Sequence, residues 1–228
     1  FVENSDDALS GIRVVELGSG MAPAIVGMFL GDHGADVIKV EQPEGDWARS
    51  HAGFEVWNRN KRGAVVDLES ADDLAWLATN VGRADVLILG TNELEDFGPA
   101  VAEAARGNAR LVIVRLPAYL DGSTPWVGTP ESNGLLSAMG SQASRQSSYD
   151  GGPVESVSPY VLHGQGLLAA TAATAALLER IDSGLGQTVT VTGMQALVQF
   201  HVLALTTLAD APDPVTSIGP TGKHHTYR

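Results

Sequence analysis

The chain has no cysteine, few aromatic side chains and a marked shortage of basic ones, and each shortage closes a class of function. Without a thiol there is no disulfide framework, no thiolate nucleophile and no Cys-based zinc or iron–sulfur site. Only 14 basic residues stand against 27 acidic ones, a formal charge of −13, so no nucleic-acid partner is expected. Phosphates would have to approach against the field of the whole protein. An anionic ligand needs a local basic spot instead. Long apolar runs are also missing: none approaches the roughly 20 continuous residues that span a bilayer. The acidic, polar start from Phe1 to Ser10 does not read as a secretory signal. A soluble, cytoplasmic protein with no membrane partner is expected. Histidine is present at 33, 51, 163, 201, 224 and 225, without a ligand spacing such as His-x-x-x-His, and no metal site is expected.

What is there is an alternation of two periods. Ile12 to Leu17 is a β-branched run ending in Gly18-Ser19-Gly20; Met21 to His33 carries apolar residues at helical spacing; Gly34 closes it, and Asp36 to Glu41 reads as a second strand. A crossover of that length implies parallel strands. Further strands are predicted at Ala64 to Leu68, Val86 to Leu89, Leu111 to Arg115 and Thr188 to Thr192. Helices are predicted at Ala71 to Arg83 with Ser70 as N-cap, at Leu94 to Arg106 interrupted by Gly98-Pro99, at Gly166 to Ile181 and at Met194 to Leu208. The expected fold is α/β: a Rossmann-like open, mostly parallel sheet flanked by helices. From Pro117 to Pro159 the period is lost except around Gly134 to Met139, which predicts a long excursion. The alanine-rich Gly166 to Ile181 helix is suited to close packing on several sides. Pro212 to Arg228 has the composition of a linker.

Two constellations carry chemistry. The Gly18-Ser19-Gly20 turn lies between strand and helix, with Glu41 ending the next strand, and this fits a nucleotide site. Glycines let a ligand approach the helix N-terminus, and the acid takes ribose hydroxyls, as for NAD or S-adenosylmethionine. Pro23 stands at the third small position of the dinucleotide pattern and offers no N–H, and an ordinary tight βα turn explains the same residues. The second is the basic cluster Arg49, Arg59, Lys61, Arg62, interleaved with Trp47 and Trp57, which would hold a phosphate beside a flat ring. A solvated loop paired with Glu44, Asp46 and Glu55 is the alternative.

The run LSGIRVVELGSGMAPAIVGMFLGDHGADVIKVEQPEGDWAR, then NRNKRGAVVDLES, RADVLIL and LLERIDSGLGQTVTVTGMQAL, resembles the family III CoA transferases of the CaiB/BaiF type. That group holds formyl-CoA transferases, carnitine CoA-transferases and 2-methylacyl-CoA racemases. The resemblance implies acyl-CoA transfer between carboxylic acids at the level of the whole protein, with coenzyme A as substrate. It also implies a Rossmann-like large domain, here over 1–210, and the start of a linker at 211–228 toward a small domain not in this chain. Family subunits interlock in pairs, which implies a homodimer or a pseudo-dimer with a second family copy.

Carried over by position, the resemblance puts the acyl-accepting aspartate at Leu162, counted from Gly166 and Arg180. A leucine forms no anhydride, so the segment is expected to be a catalytically degenerate half, serving as a structural or allosteric partner to an active one. His163 beside it and Asp150 upstream are the weak candidates for a catalytic group, and Asp150 or Glu155 for a displaced nucleophile. Three cationic positions of the formyl-CoA transferases fall at Gln42, Glu69 and near Asp96, and the racemases' histidine position at Glu131. Gly18, Ser19, Gly20, Arg49, Lys61 and Arg62 remain as candidates for binding the CoA moiety.

Overall fold

The structure is a computed structural model that describes residues 7–119, 132–140, 143, 153–156 and 158–205. Its elements run β1 (Arg13–Glu16), α1 (Met21–Asp32), β2 (Asp36–Glu41), a one-turn α2 (Phe54–Trp57), β3 (Lys61–Val65), α3 (Ala71–Gly82), β4 (Val86–Gly90), α4 (Pro99–Gly107) and β5 (Val112–Arg115). After these come α5 (Asn133–Met139), α6 (Tyr160–Ser183), β6 (Thr188–Thr190) and α7 (Gly193–Leu205). Single 3-10 turns lie at Trp47–Ser50 and Leu94–Phe97. Two compact units divide the chain: residues 1–117 with 165–191, and residues 118–164 with 192–228. The expected linker, 211–228, lies outside the described residues.

The first unit holds a six-stranded sheet in the order β3-β2-β1-β4-β5-β6, every pair parallel. Strand side chains alternate between two apolar layers. Val14, Val37, Val86, Ile88, Val112 and Val114 face α1 and α6, while Val15, Val40, Leu87 and Leu89 face α3 and α4. Burial on both faces is why VLILG is apolar without a break. Ser70 caps α3 by accepting the Asp73 N–H, as its place before the helix predicts. The strand order changes direction between β1 and β4, and such sheets receive ligands beyond the carboxyl ends of their strands at that point.

Two boundaries differ from expectation in a way that matters for function. β3 begins at Lys61 rather than Ala64, because Lys61 and Arg62 pair in register with Val37 and Ile38 of β2. Charged side chains hid the strand from a pattern search. α6 begins at Tyr160 rather than Gly166, so Leu162 and His163 lie in its first turn instead of a loop. Gly166 is not a helix start: a Cβ there would come within 2.7 Å of Ile25, so it marks the crossing with α1. α6 is also long and apolar enough to cross a membrane, with a mean hydropathy of 1.4. Its alanines 169, 170, 173 and 176 are buried on the sheet, which is where that apolar composition is used.

Candidate functional site

Behind the glycine turn runs a line of buried charges that no motif announced. Glu16 ends β1 fully buried; Lys39 Nζ in β2 lies 3.0 Å from its Oε1, and Lys61 Nζ in β3 lies 2.8 Å from its Oε2. Lys39 also reaches Asp46 Oδ2 at 2.8 Å. Lys61 donates further to the Ala24 carbonyl at 2.8 Å and to Asn58 Oδ1 at 2.9 Å. Two ammonium groups and two carboxylates therefore neutralise each other inside the protein. Opposite charges so close offset the desolvation that would otherwise expel them. Burial pushes the Lys39 ammonium down, but Glu16 and Asp46 outweigh it and raise its pKa. For Lys61 burial prevails over Glu16 and the pKa is lowered. Gly27 makes room for this arrangement: a Cβ there would stand 2.0 Å from Glu16 Oε2.

Asp46 closes the nucleotide-like turn from within. Both of its oxygens accept the Gly20 N–H at 3.1 Å, and Oδ1 also accepts the Ala48 N–H at 2.8 Å. Burial pulls the Asp46 pKa up, and Lys39 with these amides more than reverses it. The amide that a bound phosphate would seek at the start of α1 thus already serves an internal carboxylate. Gly20 has φ +92°, and a Cβ on it would lie 2.7 Å from the Trp47 ring, so both conformation and space require glycine. Gly18 packs on Pro23 and on the Gly90 amide, while Ser19 is exposed.

Beside that turn, at the carboxyl ends of β1, β2 and β4, lies a cleft of about 450 Å³. Leu17, Val40, Val66, Leu77 and Phe97 give it an apolar base; Ser19, Glu41, Gln42, Glu44 and Asn92 supply its polar groups. Glu41 accepts from Arg49 Nε at 2.7 Å, from Arg49 Nη2 at 2.8 Å and from the Asp46 N–H at 2.8 Å. Burial works against ionisation of Glu41, yet the Arg49 hydrogen bonds hold its pKa low. Sequence reasoning named Ser19 and Glu41 but missed Val66, Asn92 and Phe97, which come from three separate segments.

The basic cluster does not assemble into one phosphate site. Lys61 is buried on Glu16, a correction to its expected role at a ligand phosphate. Arg62 forms a two-pronged pair with Asp36 at the amino end of β2, away from the carboxyl ends of the strands. Arg49 is engaged by Glu41 and also lies 4.8 Å over the Phe54 ring. Arg59 pairs with Asp32.

In the second unit, Leu162 is buried, with 8% exposure, in the first turn of α6. His163 follows it, with Nε2 buried and without a hydrogen-bond partner among the described residues. Burial alone lowers the His163 pKa below 6.5, so the ring is neutral near pH 7. Asn133 of α5 accepts the Val161 N–H at 3.1 Å through Oδ1, while its Nδ2 finds no partner among the described residues. Glu155 is exposed and lies against Gly134. Asp150 and Glu131 lie outside the described residues. Among the described residues no three His, Asp or Glu side chains are grouped to hold a metal ion.

A parallel 3-2-1-4-5-6 sheet with its cleft beyond the strand ends defines a Rossmann-like α/β protein. Residues 9–227 match the CoA-transferase family III, and the chain belongs to that family. It is 33% identical over 189 residues to the human alpha-methylacyl-CoA racemase, covering 80% of this chain and 47% of that protein. To the succinate–glutarate CoA-transferase of Agrobacterium fabrum it is 30% identical over 203 residues, covering 81% and 50%. A crystal structure of a CAIB/BAIF family protein from Brucella suis superposes with a TM-score of 0.81 at 25% identity, covering 92% of this chain and 60% of that one. The chain spans about half the length of the curated relatives it matches.

Proposed function

We propose that this chain is a non-nucleophilic half of a family III acyl-CoA transfer protein. The whole protein moves CoA between carboxylic acids, and this half holds CoA without taking the acyl group. The observation that carries the reading is Leu162: the position the resemblance assigns to the acyl-accepting aspartate is a buried leucine. A hydrocarbon side chain offers no lone pair to attack a thioester. The relatives' names place them among enzymes of CoA-linked acids, which supports CoA as ligand. The cleft beyond β1, β2 and β4 has the apolar base and polar rim suited to an adenosine group. A second family copy, in the same polypeptide or as a separate subunit, supplies the chemistry in this reading, and the protein is cytoplasmic. The exposed Leu178, Ile181 and Leu185 are consistent with a further protein surface.

The test is to incubate the chain with an acyl-CoA and measure its intact mass after denaturation. No covalent addition is expected. An acyl or CoA adduct mapped to Asp150, Glu155 or His163 would establish the second reading, an active transferase with a displaced catalytic group. The buried His163 Nε2, which has no hydrogen-bond partner among the described residues, is the observation in its favour. Binding of NAD or S-adenosylmethionine through Gly18 to Gly20 is disfavoured by Asp46, which already accepts the Gly20 N–H.

A further inference from the structure

The cleft carries a statement about which CoA-type molecule it takes. Among the described residues that line it there is no lysine or arginine. Arg49 is bound to Glu41 through both Nε and Nη2, Lys39 to Glu16 and Asp46, and Lys61 to Glu16. Of the two carboxylates in the wall, Glu41 is matched by Arg49 and Glu44 is exposed. Glu69 and Asp96 adjoin the lining residues Leu68 and Phe97 in the chain, and both are exposed. The surroundings of the cleft are therefore acidic, beyond the general charge of −13.

Glu41 ends β2, the place from which a carboxylate accepts hydrogen bonds from ribose hydroxyls in sheets of this kind. Its Oε1 takes one N–H from Arg49 and keeps acceptor capacity for a hydroxyl. A 3′-phosphate replaces one of the two ribose hydroxyl donors, leaving the 2′-hydroxyl, and brings up to two negative charges toward Glu41 and Glu44. Charges of one sign repel, and at exposed positions they do so most at low ionic strength.

Resting on the reading that this cleft receives the adenosine end of a CoA-type ligand, we propose that it selects a ribose without the 3′-phosphate. The chain accordingly binds dephospho-CoA in preference to CoA. Glu41 is the ribose acceptor, Gln42 and Asn92 are polar contacts for the base or sugar, and Glu44 sets the sign of the selection.

The experiment is calorimetric titration of the full chain with dephospho-CoA and with CoA at low ionic strength. Dephospho-CoA is expected to bind at least about tenfold tighter, with the gap narrowing as salt is raised. The exposed pair Gln42→Arg with Glu44→Lys, which touches no buried contact, is expected to remove or invert the preference. CoA binding as tightly as dephospho-CoA, or a preference unchanged in the double variant, would overturn the selectivity and leave the cleft as a CoA site. No binding of either ligand would overturn the selectivity together with the reading it rests on.

Discussion

Two buried polar regions of this chain are treated in opposite ways. In the first unit, Glu16, Lys39, Lys61 and Asp46 form a line in which each charge meets an opposite one. In the second, Asn133 Nδ2 and His163 Nε2 are buried without a hydrogen-bond partner among the described residues, although Tyr160 nearby in sequence meets Ser137. A paired charge line fixes three strands and the turn at Gly20 in a single arrangement. Unpaired donors and acceptors cost stability, and proteins keep them where something other than stability is served, or where water or a ligand completes them. The first region is thus scaffold. The second, next to Leu162, is the place to look for any remaining chemistry.

Removing the common anion should break the scaffold most severely. Glu16→Ala leaves two buried ammonium groups without their shared carboxylate and is expected to cost about 3–5 kcal/mol, read from the denaturant midpoint. A cost near that of a surface substitution would mean the line is not stabilising. Gly27→Ala comes next. Alanine improves helix propensity by about 1 kcal/mol, but its Cβ would displace the carboxylate of Glu16, and a net loss of about 2 kcal/mol is expected in thermal unfolding. A stabilised variant would show that the Glu16 to Lys61 pair can move at little cost.

Asp46→Asn tests the acid limb of stability. Because the folded pKa of Asp46 lies below its ordinary value of 3.8, its contribution is present above 3.8 and is lost as pH falls through the lowered value. The variant should be less stable at neutral pH and show a shallower decline below pH 3.8. An unchanged slope in acid unfolding would remove Asp46 from the account.

The smallest effect belongs to the unpaired region. His163 has a lowered pKa, so the unfolded chain takes up a proton first as pH falls below 6.5, and stability declines there. His163→Phe should abolish this decline and change stability at pH 7 by less than about 1 kcal/mol. A large loss at pH 7 would mean that His163 is as well integrated as Glu16, and the contrast between the regions would fail.

Much of the fold was legible because buried strands and amphipathic helices write their periods into the sequence. The run Asp36–Glu41 marks β2 at its observed limits, and Ser70 before the first helical turn marks the cap of α3. The start of β3 is hidden because Lys61 and Arg62 look like solvent residues until Glu16 and Asp36 are brought beside them. The start of α6 is hidden because two glycines resemble a loop, and the α1 crossing that requires Gly166 is invisible in one dimension. The cleft was half legible. Glu41 and Gln42 follow a strand, but Val66, Asn92 and Phe97 join them only through the sheet. A glutamate and a lysine inside otherwise apolar strands, Glu16 and Lys39, were the available signal for the ion line.

The sequence by itself determined the α/β class, the parallel connections, the family resemblance and the leucine at position 162. Those depend on residue type and local spacing. Tertiary structure alone decided that Lys61 is an internal counter-ion, that Asp46 satisfies the amide of Gly20, and that an acidic rim surrounds the apolar cleft. These depend on distances between strands far apart in the chain, and charge acquires its meaning only when its partners and its exposure to water are known.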